Sequence, residues 1–376
     1  MNVLVISHTY ITKVGREKWR ELARNHDVNL KIVVPTVWKD YLFTIRYDEQ
    51  RDDELDMRAF PVLFSGKEAA HTYLTTHMLM NEFTPDILHV EEGTDAISYA
   101  QALAYKRIYA PNARTLFFTW MNFEKKISFP FTAIQKFNLD RSDAAICGNA
   151  DARDLLRKKG FEKPVFVMPL LGIDPELFQK RDGTALRQEL GLKGLVIGFV
   201  GRFVPEKGVL DLIEAASTLD MEYSLLFLGG GSAESDMREL ARAKGMESKV
   251  HIVKSVPHTE VPKYMNAMDM FVLPSYTVPH WKEQFGQVIV QAMASEIPVI
   301  GSTHAEIPNV IGDAGLTFQE FDVEDLRQKL ALLAGSNELR EKLAPQGRER
   351  VLEHFTNTKI AARTFDVYNE LLTYDR

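Results

Sequence analysis

The stretch WKEQFGQVIVQAMASEIPVI, residues 281–300, combines a charged loop, a helix and the start of a strand. After Gly286, apolar residues stand at 288, 289, 292 and 293, a spacing that predicts a helix buried on one face. Pro298 ends this helix, and the apolar pair 299–300 is typical of a buried parallel strand. A helix N-terminus offers unpaired N–H groups and a partial positive charge, so it attracts phosphate and hydroxyl oxygens. Glu283, just before the helix, is therefore placed to hydrogen-bond hydroxyl groups.

Short apolar runs that alternate with predicted helices surround this stretch. In the first half they are NVLVIS (2–7), DILHVE (86–91) and TLFFT (115–119), and in the second half LVIGFV (195–200) and MFVL (270–273). Such alternation predicts an α/β fold of two doubly wound, Rossmann-like parallel sheets. We place the domain boundary at Phe178, with residues 1–178 in one domain and 179–355 in the other. A final helix within residues 356–376 fits either domain, including a return onto the first.

Composition excludes several classes of protein. The net charge of −7 and the pI near 5.9 disfavour a dedicated nucleic-acid binder, whose surface should be basic. The single cysteine, Cys147, excludes an internal disulfide framework and a multi-cysteine zinc site. No histidines show a ligand spacing such as H-E-x-x-H, so no metal site is predicted. We see no basic leader before NVLVIS and no apolar run near the ~20 residues that span a bilayer, and we expect a cytoplasmic protein.

The loops that follow strands hold the candidate site residues, because ligands of open α/β sheets bind beyond the carboxyl ends of the strands. In GRFVPEKG, residues 201–208, Arg202 and Lys207 are framed by glycines and suit a diphosphate. The Gly-Lys-Ser/Thr ending of a P-loop is absent, and a surface turn with solvated charges remains the alternative. Gly229–Gly231 allows close approach of a backbone, or simply a tight turn. Val256-Pro257-His258 follows a predicted strand and would present backbone groups to a nucleobase.

The first half offers fewer signals. No G-x-G-x-x-G follows its strands, which disfavours a dinucleotide-dependent dehydrogenase. His8 and Glu91 follow predicted strands and are candidates for the acceptor side, although a structural histidine and a solvated acidic turn are the more frequent outcomes. His304, in the second half, lies at or near a strand end or loop, and such a histidine is also more often structural or on the surface than catalytic.

Residues 105–141 form a basic segment with interleaved aromatic residues. Seven cations stand against two anions, which gives a local charge of +5. This mixture suits contact with an anionic membrane surface or a lipid-linked acceptor. Most of its aromatic residues are also compatible with a place in the core.

Taken together, these motifs resemble the retaining, nucleotide-sugar-dependent glycosyltransferases of family 4 (group 1). GRFVPEKGVLDLIEA (201–215) resembles that family's diphosphate loop and the helix after it, and EQFGQVIVQAMASEIPVI (283–300) its E-x7-E element. PLLGIDPELF (169–178) and AEIPNVIGDAGLTF (305–318) resemble its segments at the interdomain crossover and after the E-x7-E element. The resemblance covers nearly the whole chain. It implies the GT-B fold, in which two Rossmann-like domains face a deep interdomain cleft.

The resemblance also implies roles for individual residues. Arg202 and Lys207 would bind the donor diphosphate and stabilise its charge as it departs, and Glu283 would hydrogen-bond the transferred sugar. No bound metal or other cofactor would be needed, since these cations supply the electrostatic stabilisation. The remaining donor-binding candidates are Gly15, Gly201, Gly230, Val256, Pro257, Gln284, Phe285, Gly286 and Gln291.

Three positions depart from the family pattern. Gln291 stands where the second acid of E-x7-E binds ribose hydroxyls, and an amide is a weaker acceptor than a carboxylate. Only one glycine, Gly15, stands where the family has a Gly-Gly loop. The family often has a histidine after the strand that matches TLFFT, and here Asn122 is the substitute on the acceptor side.

The resemblance favours transfer of a sugar from a nucleotide diphosphate donor to a carbohydrate or lipid-linked acceptor. We expect a UDP-sugar first and GDP-mannose second, with peripheral contact of residues 105–141 at the inner membrane face. Two alternatives stay open: a nucleotide-sugar epimerase on the same fold, and a sugar-nucleotide-binding protein without turnover.

Overall fold

The computed structural model describes residues 1–39, 44–52, 54–74, 79 and 82–373. The chain divides into two units. The first consists of Met1–Gly172 and the chain from Asn357 onward, and the second is Ile173–Thr356. The division after Gly172 falls shortly before the boundary predicted at Phe178. The last residues of the predicted final helix, 374–376, lie outside the described residues.

The first unit is built around a seven-stranded parallel sheet in the order β11-β10-β9-β8-β1-β2-β5. Its elements are β1 (Asn2–Ile6), α1 (Glu17–Asn25), β2 (Asn29–Pro35), β3 (Val37–Lys39), β4 (Thr44–Arg46), β5 (Asp56–Phe60), β6 (Val62–Leu63), β7 (Thr72–Tyr73), β8 (Ile87–Val90), α2 (Ile97–Tyr109), β9 (Arg114–Thr119), α3 (Phe131–Arg141), β10 (Ala144–Cys147), α4 (Ala150–Lys158), β11 (Val165–Val167) and α13 (Asn357–Thr373). The pairs β3–β4 and β6–β7 are antiparallel and lie outside the main sheet.

The final helix α13 completes the core of the first unit. Its Tyr368 and Leu371 are buried in one apolar cluster with Trp19 and Leu22 of α1. Burying such side chains is worth about 1.5–3 kcal/mol each, so the apolar face of α13 supplies a large share of this core. Of the two placements left open by the sequence, the structure shows the return onto the first unit.

The second unit is built around a six-stranded parallel sheet in the order β14-β13-β12-β15-β16-β17. Its elements are α5 (Thr184–Leu190), β12 (Leu195–Arg202), α6 (Val209–Ala216), β13 (Tyr223–Gly230), α7 (Glu234–Ala243), β14 (Val250–Lys254), α8 (Val261–Met265), β15 (Met270–Leu273), α9 (Gln287–Ala294), β16 (Val299–Ser302), α10 (Ile307–Ile311), β17 (Leu316–Phe318), α11 (Val323–Gly335) and α12 (Asn337–His354). The predicted helix after Gly286 and the strand at Val299 are both present.

Both main sheets reverse their strand order at one position. In the first, β1 lies between β2 and β8, and in the second, β12 lies between β13 and β15. Counted along each unit, the strands follow the Rossmann order, and the prediction of two doubly wound parallel sheets is confirmed. In such sheets the loops on either side of the reversal diverge and leave a crevice for ligands. The reversal therefore marks where a site is expected in each unit.

None of the described helices combines the length and the apolar run that crossing a bilayer requires.

Candidate functional site

The two loops at the reversal of the second sheet carry Lys207 and Glu283. Lys207 ends a 3-10 turn, Pro205–Lys207, in the loop after β12, and Glu283 lies in the loop after β15. Gly208 allows the loop after β12 to pack against Pro274, at the start of the loop that carries Glu283. Its φ is +65°, and a Cβ atom there would lie 2.1 Å from the carbonyl oxygen of Pro274. Only glycine tolerates both the conformation and the contact.

Lys207 and Glu283 form a shielded ion pair. Lys207 Nζ lies 2.5 Å from Glu283 Oε2, and each side chain is 13% exposed. Ser275 Oγ contacts the same carboxylate oxygen at 3.4 Å. The ammonium also lies 4.7 Å from the ring centre of Trp281, an attractive cation–π distance. The arrangement fixes a cation and a carboxylate side by side at the carboxyl edge of the sheet.

His304 holds the loop that carries Glu283. The backbone N–H of Glu283 donates to His304 Nε2 at 2.8 Å. Because Nε2 accepts, the ring proton is on Nδ1, which donates to Thr277 Oγ1 at 2.9 Å. Burial lowers the pKa of His304, although Glu320 and Glu283 act in the opposite direction. A neutral imidazole is the form that this hydrogen-bond pattern requires.

Glu320 is the last residue of a hydrogen-bond network that runs from the Glu283 backbone through His304 and Thr277. The Thr277 hydroxyl donates to Glu320 Oε1 at 3.2 Å, and the Thr277 backbone N–H donates to Oε2 at 2.8 Å. The rings of Trp281 and His304 lie 5.5 Å apart at 31°. Sequence reasoning missed this network, since no local spacing links residues that follow β15, β16 and β17.

Arg202 lies at the end of β12 and its side chain is exposed. In the sheet it is paired with Gly230 of β13, and Gly201 with Gly229. A Cβ atom on Gly229 would lie 1.9 Å from the Gly201 carbonyl oxygen, whereas one on Gly230 would meet nothing within 4 Å. Close packing of the backbone thus requires Gly229, while Gly230 leaves open space beside Arg202.

The residues just before α9 differ in which of their groups are exposed to a ligand. Gln284 is exposed, whereas the ring of Phe285 is buried and packs 5.6 Å from that of Phe355. Gly286 has φ +82° and directly precedes α9. This glycine turns the chain into the helix whose first residue is Gln287. Of Phe285, only the backbone is suited to contact a ligand.

Gln291 contacts His258, the last residue of the segment 256–258 that was predicted to present backbone groups to a nucleobase. The amide Nε2 of Gln291 lies 3.2 Å from His258 Nε2, and Gln291 is buried. Burial lowers the pKa of His258, so its neutral Nε2 accepts from the amide. Val256 and Pro257 directly precede the 3-10 turn His258–Glu260. The structure thus brings Gln291 next to the loop predicted to hold the base.

In the first unit, Glu91 and Glu92 have different partners. Glu91, the predicted acceptor-side residue, lies in a buried ion pair with Lys18, at 3.0 Å between Oε1 and Nζ. Glu92 instead faces His8, whose backbone N–H donates to Oε1 at 3.0 Å and whose Nδ1 lies 2.5 Å from Oε2. Burial would raise the pKa of Glu92, yet His8 and His71 together hold it at about 2. Glu92 is the acid that lies beside His8.

The two other predicted positions of the first unit lie apart from this pair in the chain. Gly15 has φ +86°, and a Cβ atom there would approach Leu171 Cδ2 to 3.0 Å. Asn122 is buried after β9. Trp120, near the position where the family often has a histidine, covers Gly148 so closely that a Cβ there would lie 2.0 Å from Trp120 Cε3.

Comparison with known proteins adds a family match. The family model described as "Glycosyl transferases group 1" matches residues 184–350. N-acetyl-alpha-D-glucosaminyl L-malate synthase of Bacillus anthracis is 27% identical over 210 residues, 54% of this chain and 53% of its own length. The capsular polysaccharide biosynthesis glycosyltransferase CapM of Staphylococcus aureus is 30% identical over 210 residues, with the same coverage of both chains. The chain thus spans about half the length of these curated relatives.

Solved structures are similar over the whole chain. Anabaena HepE in complex with UDP has a TM-score of 0.77 at 15% identity and covers 98% of this chain and 100% of its own. Sucrose-phosphate synthase from Thermosynechococcus elongatus has a TM-score of 0.72 at 18% identity, with 99% of each chain covered. At these identities the similarity shows a shared fold, the two-unit GT-B type.

Proposed function

We propose, on the premise that residues 184–350 belong to the group 1 glycosyl transferases, that this chain transfers a sugar from a nucleotide diphosphate donor to an acceptor. One observation carries the proposal: Lys207 and Glu283 are paired at the reversal of the second sheet. A carboxylate suits sugar hydroxyls and an ammonium suits a phosphate. Exposed Arg202, at the end of the same strand that precedes Lys207, adds a second cation.

The chemistry proposed for this site needs cations more than acids or bases. As the bond between the anomeric carbon and the diphosphate breaks, negative charge grows on the departing oxygen, and Lys207 and Arg202 stabilise it. The acceptor oxygen forms its bond to the anomeric carbon on the same face, and its proton passes to the departing phosphate. Configuration is then retained. Glu283 holds the sugar, and no bound metal is required for this step.

For the donor, we favour a UDP-sugar, with GDP-mannose second. Two observations support a nucleotide donor, and the second of them favours uridine. The buried amide of Gln291 lies beside His258, next to the backbone of residues 256–258 that is predicted to hold the base. Solved structures of similar fold were obtained with UDP and with UDP-glucose. For the acceptor we propose a carbohydrate or a lipid-linked sugar, in line with the capsular polysaccharide biosynthesis in which one relative takes part.

The decisive experiment is turnover with a panel of UDP- and GDP-sugars and simple glycoside acceptors. We expect nucleotide release that depends on the acceptor, with the α- or β-configuration of the donor kept in the product. Conversion of the donor sugar without any acceptor would instead identify an epimerase. Tight donor binding without product under every condition would indicate a binding protein, and the absence of both binding and turnover would refute the proposal.

Gln291→Glu is expected to strengthen donor binding and to change its pH dependence. A carboxylate 3.2 Å from His258 Nε2 would favour the imidazolium and raise the pKa of His258, and the acid would accept a stronger hydrogen bond from ribose hydroxyls. We expect the Kd of UDP to fall by about 3- to 10-fold, on the scale of one charge-assisted hydrogen bond. Calorimetric titration of UDP between pH 5.5 and 8 measures both effects.

The control for this substitution is Gln188→Glu, at an exposed amide of α5 that is not among the donor-binding candidates. It adds the same charge to the second unit, outside the predicted donor site. An equal gain in UDP affinity in both variants would show that added charge, and not the contact with His258, is responsible.

We also propose that the basic segment contacts an anionic membrane surface, as a cytoplasmic protein would at the inner face. Between α2 and α3 lies a groove of about 430 Å³, lined by Leu103, Phe137 and three cations, Lys106, Arg107 and Arg141. Ile108, which also lines the groove, is 68% exposed, and Phe129, before α3, is 82% exposed. Cations around exposed apolar side chains are typical of surfaces that bind anionic lipid.

The double substitution Ile108→Glu, Phe129→Glu is therefore expected to reduce binding to vesicles that contain phosphatidylglycerol by about 10-fold or more. Cosedimentation measures this binding. Leu352→Glu, an exposed leucine of the second unit, is the control. Equal loss in the control, or binding that ignores the anionic lipid content, would contradict the membrane contact.

A further inference from the structure

Three potential ligand groups meet at the reversal of the first sheet. His8 follows β1 and Glu92 follows β8, the two strands that flank the reversal, and His71 directly precedes β7. One ligand atom from each residue lies within 4.8 Å of the other two. In the part of the chain that the structure describes, no other group of three such residues is this close. The three residues come from distant parts of the sequence, and no spacing of residue types predicts that they meet.

The tautomer of His71 is fixed by the backbone. Its Nδ1 lies 2.9 Å from the carbonyl oxygen of Glu68 and must donate there, since a carbonyl can only accept. Its Nε2 is buried and makes no hydrogen bond to any residue that the structure describes. That atom lies 3.4 Å from Glu92 Oε1. A neutral His71 thus directs a lone pair at a carboxylate, which is unfavourable unless a cation or a proton lies between them.

Several contacts keep the three groups in place. Trp38 stacks on the ring of His8 at 4.5 Å and meets the ring of His71 edge-on at 4.9 Å. The Tyr73 hydroxyl donates to Glu92 Oε1 at 3.1 Å. The side chains of His71 and Glu92 are fully buried, and that of His8 is 18% exposed. Rings oriented by carbonyl and aromatic partners, and a carboxylate oriented by a hydroxyl, are typical of the shell around metal ligands.

We propose that His8 Nδ1, His71 Nε2 and a carboxylate oxygen of Glu92 bind one divalent transition-metal ion of the zinc type. Two imidazoles and one carboxylate match the ligand preference of Zn²⁺ in sites that keep a fourth position open. Ligand atoms about 2.1 Å from a tetrahedral ion lie roughly 3.4 Å apart, the separation found between His71 Nε2 and Glu92 Oε1. Metal binding would replace the proton shared by His8 Nδ1 and Glu92 Oε2, and these two atoms would move apart by about 1 Å.

This inference does not depend on the proposed function. All three residues belong to the first unit, whereas Arg202, Lys207 and Glu283 belong to the second. The proposed transfer step, in which two cations stabilise the diphosphate, remains metal-independent. The competing interpretation is a protonated His71 that neutralises Glu92 without a metal.

The test is a titration of the chelator-treated full chain with ZnCl₂ in competition with a chromophoric chelator. We expect one Zn²⁺ per chain with a Kd below about 1 µM. His71→Ala and His8→Ala should each weaken binding by on the order of 100-fold, because each removes one ligand. His251→Ala is the matched control, because its Nε2 is also buried without a hydrogen bond among the described residues, yet it belongs to no group of three potential ligands there. It should bind Zn²⁺ as the wild type does.

A spectroscopic readout covers the case in which the alanine variants fold poorly. Co²⁺ added to the wild type should give visible ligand-field bands of a four-coordinate site, and Zn²⁺ should abolish them. Glu92→Gln, which keeps the shape of the side chain, should shift or remove these bands. A wild-type chain that binds neither ion stoichiometrically at micromolar concentration would overturn the proposal. So would a folded His71→Ala variant with wild-type affinity, and the protonated pair would then be the better account.

Discussion

Lys207→Ala is expected to abolish sugar transfer, lowering kcat by on the order of 10³-fold. The ammonium is held by Glu283 at 2.5 Å and by the Trp281 ring, so its position is set before a donor arrives. A preorganised charge of this kind stabilises the leaving diphosphate without reorganisation, which is why its loss should appear mainly in kcat. Arg202→Ala, at an exposed side chain, should lower kcat/KM comparably while the thermal unfolding temperature stays unchanged.

The matched control is Lys244→Ala, which breaks another lysine–glutamate pair of the second unit. Lys244 Nζ lies 2.6 Å from Glu214 Oε1, but both side chains are well exposed. Its loss should leave transfer and stability nearly unchanged, because exposed ion pairs contribute only about 0–1 kcal/mol. Steady-state assays with the nucleotide-sugar donor identified in the panel measure kcat and KM of each variant. Full activity of Lys207→Ala would show that the diphosphate binds elsewhere.

His304→Ala is expected to lower kcat/KM by about 10- to 100-fold, because Glu283 would lose the contact that fixes its backbone. The Glu283 N–H would be left without its imidazole acceptor, at a cost of about 1–3 kcal/mol in the free energy of unfolding. His304→Gln should recover part of the activity, since an amide oxygen can accept the same N–H. If His304 served stability alone, folded His304→Ala would unfold more easily but keep the wild-type kcat/KM.

The pH dependence of stability gives a second test of His304. Its pKa is lowered in the folded state, so the unfolded chain takes up the proton first as the pH falls. The contribution of His304 is therefore fully present above about pH 6.5 and is lost as the pH falls from there toward the lowered value. Urea unfolding at pH 5 to 8 should show a steeper loss in the wild type than in His304→Ala. His354→Ala, at an exposed histidine, should follow the wild type. Parallel curves for the wild type and His304→Ala would contradict the assignment.

The parts of the fold that sequence reasoning predicted are those with local signals. The helix after Gly286 and the strand at Val299 are announced by apolar spacing and by Pro298, and the structure has both. The helix α12 was not predicted. Pro345 lies inside it and its apolar residues are sparse, so neither a helix signal nor a boundary signal is clear. The short strand β5 was also missed, because Asp56 and Arg58 interrupt an apolar pattern.

In the candidate site, too, the residues with a local sequence signal were predicted and those without one were not. Arg202 and Lys207 stand in one loop, so their spacing is visible in the sequence. Glu283, His304 and Glu320 follow three different strands, and only the order of the sheet brings them together. In the first unit, adjacent Glu91 and Glu92 look alike in sequence. Successive side chains point in different directions, so Glu91 pairs with Lys18 and Glu92 with His8. This difference can be seen only when the folded positions of Lys18 and His8 are known.

The position of α13 has a consequence for how the protein is made. The first unit is encoded by two stretches separated by the whole of the second unit, and the later stretch supplies Tyr368 and Leu371 to its core. During synthesis the second unit can therefore reach its native state while the earlier-made sheet still exposes the apolar groove that α13 covers. Nascent chains arrested before codon 357 should accordingly recruit ribosome-associated chaperones to residues near Trp19 and Leu22.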